Sequence, residues 1–153
     1  MSDSISVFIP CNIPTVTAQQ KGALVRNGHI RFFKKKKVQK SEDTFHALLY
    51  PHRPREPFSG PVCLCIGFVF PWRKSEAKRI INAYSVYPVV TRPDLSNLVK
   101  TIEDVMTTLR FWEDDGQVSA LSISKNYGDE PGIRLSVTKD LARSKNGHVV
   151  SCL

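Results

Sequence analysis

The stretch PDLSNLVKTIEDVMTTLRFW, residues 93–112, places Leu95, Leu98, Ile102, Val105, Met106 and Leu109 three and four residues apart. That spacing is one face of an α-helix, so a single helix with one buried stripe is predicted. Upstream, VCLCIGFVF at 62–70 is apolar almost throughout and rich in Val, Ile and Phe, the composition of a central strand buried on both faces. Downstream, EDDGQ (113–117) is a turn, VSALSISKNY (118–127) alternates as a strand, GDEPG (128–132) turns again and IRLSVTK (133–139) alternates as the last strand. The glycine-containing connection predicts that the final pair forms an antiparallel hairpin.

The rest of the chain is organised around these elements. SISVFIP (4–10) predicts a first strand that ends at Pro10, and CNIPTVTAQQKGALVRNG (11–28) reads as a long loop with turn residues and weak periodicity. HIRFF (29–33) supplies a short strand, KKKKVQKSEDTFHALLY (34–50) a helix, and RPREPFSGP (53–61) a connection full of breakers. SEAKRIINAY (75–84) fits either a short helix capped by Ser75 or an ordered loop. The predicted fold class is a mixed α/β (α+β) single domain: one mixed sheet, about two main helices and the C-terminal antiparallel hairpin. Residues 1–140 form the domain, and DLARSKNGHVVSCL, most of it within 141–153, carries no pattern and is expected to be a loose C-terminal tail.

Composition narrows the partners. The chain has 153 residues and 41% apolar content, enough for one domain with a core. No run reaches the roughly 18 apolar residues of a membrane span, and the start MSDSISVFIPCNIP lacks a basic segment followed by a long apolar one. A soluble, intracellular (cytoplasmic) protein is expected. Cys11, Cys63, Cys65 and Cys152 show no zinc-ligand spacing, His29, His46, His52 and His148 are scattered, and no small-molecule cofactor is indicated. Cys63 and Cys65 fall on one face of their strand and read as free core thiols.

Charge is segregated. The formal net charge is +8, and residues 21–40 contain eight Lys or Arg and no acid. The run Lys34, Lys35, Lys36 and Lys37 fits a solvated face, or an arm that contacts a phosphate backbone by counterion release. Residues 94–115 hold six of the 14 acids. A protein that only binds DNA gains nothing from grouped carboxylates, which repel phosphate. The repulsion is relieved by a divalent cation such as Mg²⁺, which prefers hard oxygens and commonly takes one or two carboxylates plus substrate phosphate oxygens. A basic surface with an acidic cluster therefore suggests a metal-dependent nuclease. Geometry is the difficulty, because Asp94 and the Asp114–Asp115 pair sit at opposite ends of a helix on the order of 20 Å long. They meet only if the helix is bent or short, if the next strand runs back along it, or if a second subunit contributes.

RPDLSNLVKTIEDV followed by FWEDDGQV, over residues 92–118, resembles the RusA family of Holliday junction endonucleases, many of them encoded by phages and prophages. The family pattern is a P-D-x-D-N-L-x-K turn, an aspartate four residues on, then a D-D-x-Q-V turn. Its positions fall here on Asp94, Asn97, Lys100, Asp104, Asp114, Asp115, Gln117 and Val118. The resemblance implies a Mg²⁺-dependent homodimer that cuts four-way junctions symmetrically in DNA recombination and repair. It also implies Asp94 and Asp115 as catalytic metal ligands, Lys100 as the group that stabilises the scissile phosphate and touches DNA, and Arg92 as a phosphate contact. The pattern's second aspartate is Ser96 here. A hydroxyl can bind Mg²⁺ but brings no charge, so two outcomes stay open: an enzyme in which Asp114 or water fills the gap, or a junction-binding protein with little cleavage.

Simpler readings stand beside these. Asp94 is a good helix N-cap, Lys100 and Asp104 have the spacing of a surface ion pair, and EDDGQ is an ordinary Asp/Gly turn. Each is common alone.

Overall fold

The computed structural model describes residues 4–15, 21–27, 29–34 and 36–140. The elements run β1 (Ser4–Pro10), β2 (Lys21–Arg26), β3 (His29–Lys34), α1 (Lys36–Leu49), β4 (Val62–Pro71), α2 (Lys78–Ala83), β5 (Val86–Pro88), α3 (Leu95–Thr108), β6 (Val118–Gly128) and β7 (Gly132–Lys139), with 3₁₀ turns at Tyr50–His52 and Asp115–Gln117. This is a single-domain α+β fold built on a mixed sheet. The sheet order is β1-β7-β4-β6-β5, and β2–β3 form a separate two-stranded ribbon.

β4 is central because its composition demands it. Val62, Leu64, Ile66, Phe68 and Phe70 all join one core with Phe45 and Leu49 of α1 and Leu98, Ile102, Val105 and Met106 of α3. The other face of β4 is less covered than predicted: Cys63 and Val69 are buried, but Cys65 and Gly67 are only half-buried. Both long helices therefore lie on one side of the strand.

The predicted C-terminal hairpin does not form. β6 and β7 do run in opposite directions, but β4 lies between them, parallel to β6 and antiparallel to β7. A strand this apolar gains most with a hydrogen-bonded neighbour on each edge. The 128–132 connection must then cross two strand spacings, about 10 Å, which a tight turn cannot span. Its last residue is glycine for a reason of space: a Cβ on Gly132 would lie 2.5 Å from Ile9 O and 2.8 Å from the Phe8 ring.

The predicted long loop at 11–28 contains β2, whose Arg26 pairs with His29 across a tight turn. Asn27 takes φ 50° there, the left-handed conformation that an Asn-Gly hairpin turn uses. The basic stretch is thus a ribbon followed by the start of α1, where Lys36 and Lys37 are exposed. Only the backbone of Lys34 is described. Lys35, expected in the basic arm, and residues 141–153, expected as a tail, lie outside the described residues.

α2 begins at Lys78 with Ala77 at its N-cap, and no side chain caps it, so Ser75 does not serve there. α3 buries the predicted stripe, with Leu95 half-buried at its start. It ends where Arg110 takes φ 60°, and the chain turns back through Phe111 and Trp112, both fully buried. No helix among the described residues is long and apolar enough to cross a membrane.

Candidate active site at the ends of helix α3

At the head of α3 the backbone of Asp94 occupies the N-cap position, and its carbonyl accepts from Leu98 N–H at 3.2 Å. The side chain does not cap. Its Oδ2 instead takes a long contact, 3.5 Å, from Asn97 Nδ2. Asp94 is thus the N-cap residue by its backbone but not by its side chain, and the exposed carboxylate remains available to a cation or solvent. Arg92 and Ser96 are exposed on either side of it.

One turn further on, Lys100 Nζ pairs with Asp104 Oδ1 at 3.7 Å, and both side chains are at least half exposed. The surface-pair reading thus holds as geometry. Such a pair contributes only about 0.3–0.5 kcal/mol, so an incoming phosphate could displace it at little cost.

The acidic turn is tied down by Gln117. Its Oε1 accepts from the N–H groups of Glu113 at 2.8 Å and Asp114 at 3.1 Å, and its Nε2 donates to the carbonyls of Phe58 and Gly60, each at 2.9 Å. Asp114 Oδ1 accepts from Gly116 N–H at 2.7 Å, completing a capping box. The two aspartates therefore differ. Asp114 holds the turn with its side chain, whereas the Asp115 carbonyl accepts from Val118 N–H and its exposed carboxylate makes no hydrogen bond among the described residues.

The turn folds back against α3, and Asp115 comes near enough to Glu103 to act on its charge. The Glu103 carboxyl is pushed above the ordinary carboxylate range by its partial burial, next by Asp115, and further by Asp104, while Lys100 pulls it down. Glu103 is the site residue that the motif reading missed. Its signal was helical spacing, since Ser96, Lys100 and Glu103 lie at i, i+4 and i+7 on one face.

β6 runs back along α3, as one of the sequence alternatives required. Glu103, on which Asp115 acts, lies nine residues from Asp94, about 13 Å along the helix axis. Asp115 is brought near Glu103, but Asp94, Ser96, Asp114 and Asp115 are not drawn into one cluster. Among the described residues no three of His, Cys, Asp and Glu gather as a ready metal site. The donor chemistry nevertheless suits a hard divalent cation: mutually repelling carboxylates beside a lysine are stabilised by one, and Mg²⁺ needs only one or two protein carboxylates.

A small α+β domain with a basic ribbon, a lysine-bearing helix and two acidic turns has the features of a nucleic-acid enzyme. The model of the Endodeoxyribonuclease RusA family matches residues 14–138, and the chain belongs to that family. A crossover junction endodeoxyribonuclease rusA of Lactococcus phage r1t is 30% identical over 127 residues, covering 83% of this chain and 91% of the phage protein. An uncharacterised protein YqaN of Bacillus subtilis (strain 168) is 27% identical over 128 residues, covering 81% and 89%.

Proposed function

We propose that this endodeoxyribonuclease acts on four-way DNA junctions, as a Mg²⁺-dependent homodimer working in recombination and repair inside a bacterial or phage-infected cell. The observation that carries the reading is the family match across residues 14–138, which includes both acidic segments and Lys100. The phage relative's description as a crossover junction enzyme supports the substrate. A two-fold dimer suits a two-fold branched substrate.

In this mechanism Asp94 and Asp115 would hold the cation once a second subunit brings the two acidic segments together around a shared cavity, with Asp114 or Ser96 completing its surroundings. A cation held there would supply Lewis-acid polarisation of the phosphoryl group and a lowered pKa for attacking water. Lys100 exchanges Asp104 for the scissile phosphate and stabilises the charge that develops there. Arg92 and the Lys34–Lys37 run contact the DNA backbone in this reading. The substrate test is cleavage of a synthetic four-way junction against a linear duplex of the same sequence, both in Mg²⁺. Cutting confined to the junction supports the reading, and equal cutting of both overturns it.

A second reading rests on Ser96, which is exposed on the first turn of α3 without a carboxylate: a junction binder with weak or no cleavage. Ser96→Asp separates the two. It is expected to tighten Mg²⁺ binding about tenfold, a difference of about 1.4 kcal/mol, and to speed cleavage. Coincident metal titrations of the two proteins would show that position 96 is not a ligand position.

Neutralising Lys34 to Lys37 is expected to flatten the dependence of log affinity on log salt by roughly 0.9 for each DNA phosphate that the run neutralises. An unchanged slope means that the run faces away from DNA.

A further inference from the structure

The loop that delivers Asp94 is held by β6. Val89 N–H donates to Lys125 O at 3.1 Å, and Tyr127 Oη lies 3.4 Å from Thr91 Oγ1. Between these contacts Lys125 Nζ donates to the main-chain carbonyls of Thr91 at 2.5 Å and Pro93 at 2.8 Å. Lys125 and Tyr127 are two apart on one strand, so their side chains leave the same face. The two carbonyls taken by the ammonium flank Arg92, and the second immediately precedes Asp94.

This is an unusual use of a lysine. Lys125 is half-buried, and it forms no ion pair with a carboxylate among the described residues. Partial desolvation of its charge is offset by two charge-assisted hydrogen bonds to backbone oxygens. The helix itself leaves the Asp94 side chain almost free, with one 3.5 Å contact from Asn97 and no cap bond. The loop is therefore fixed from the sheet. β6 also follows directly from the acidic turn at Asp115–Gln117. A single strand thus starts at one acidic segment and, at Lys125, contacts the loop that carries the other.

We propose that Lys125 is a positioning residue for cleavage: by holding Thr91 O and Pro93 O, it sets the direction in which Arg92 and the Asp94 carboxylate leave the turn at the head of α3. The inference rests on the endonuclease reading above, and it adds to that reading the group which orients one of its two acidic segments. Lys125 acts through the backbone and touches neither DNA nor metal.

The test uses the full chain with Lys125→Met and Lys125→Arg. In Lys125→Met the backbone ¹⁵N order parameters of Thr91, Arg92 and Asp94 are expected to fall from about 0.85 to below about 0.6, with those of Phe45 and Trp112 unchanged. Displacement of the turn by about 1 Å costs on the order of 100-fold in kcat, while KM for the junction should move by less than about tenfold, because Arg92 alone among the proposed DNA contacts is redirected. Lys125→Arg keeps donors for both carbonyls and is expected to recover kcat to within about tenfold of the wild type. If Lys125→Met does not fold, Lys125→Gln carries the same measurements at smaller amplitude.

Order parameters that stay near the wild-type values overturn the positioning role, whether or not the protein cuts DNA. A rise in KM that accounts for the whole loss, with no rescue by arginine, also overturns it, since Lys125 would then act as a DNA contact. Should the wild type leave junctions uncut, the endonuclease reading fails, and the order parameters still decide whether Lys125 holds the turn.

Discussion

Asp115→Asn is expected to abolish metal-dependent cleavage while leaving junction binding equal or tighter. The amide has the carboxylate's shape but no charge, so the turn held by Gln117 and Asp114 should persist. A bound metal supplies several kcal/mol of transition-state stabilisation. At about 1.4 kcal/mol per tenfold, losing that contribution lowers kcat by roughly a thousandfold. Binding should tighten slightly, because one charge that repels the phosphate backbone is gone. A second readout needs no substrate. Asp115 is one cause of the raised Glu103 pKa, so NMR titration should show Glu103 moving back toward the ordinary range. Cleavage at the wild-type rate would remove Asp115 from the site, whatever Glu103 does.

The largest effect on stability is expected from Trp112→Ala. The ring is fully buried beside Phe111, its Nε1–H donates to Thr107 Oγ1 at 2.8 Å, and its backbone bridges to Phe58. Large-to-small substitution of a buried tryptophan costs about 3–5 kcal/mol. The Thr107 hydroxyl keeps its bond to Glu103 O at 2.9 Å but loses the tryptophan as donor. Against a total stability of about 5–15 kcal/mol, this is a large fraction. Trp112 also begins the segment that leads to Asp115, so the acidic turn should loosen along with the core. Urea unfolding checks the prediction: with an m value of about 1–3 kcal/mol/M, the midpoint should drop by more than about 1 M. A drop under about 0.3 M would mean that the neighbouring side chains close the space.

How far these features could be read in advance depended on whether their cause was local. The stripe of α3, the apolar run of β4 and the alternation in β6 and β7 are written in consecutive residues, and all appear in the structure. The partner order of β6 and β7 is a tertiary property: β4 inserts between them because it must be buried on both edges, and no turn residue in GDEPG reports this. β2 is hidden in a stretch of weak periodicity, although the Asn27-Gly28 pair after it is a local turn signal in the sequence. The aspartates and lysine of the candidate site were legible as a pattern. Their division of labour was not. That Asp114 holds the turn while Asp115 is left outward depends on Gln117 reaching Phe58 and Gly60, 59 and 57 residues away in sequence. Glu103 and Lys125 sat in plain helical and strand patterns, and their roles appear only once β6 is laid back along α3.

Cleavage of branched DNA by metal-dependent chemistry at the ends of α3 is the activity proposed for this chain. It is tested most directly by incubating a four-way junction, labelled on each strand in turn, with the wild-type protein in Mg²⁺ and in EDTA. The expected result is paired nicks at symmetric positions in Mg²⁺ and intact strands in EDTA. Identical cutting in both, or a junction that is bound but uncut at saturating Mg²⁺, would contradict the account.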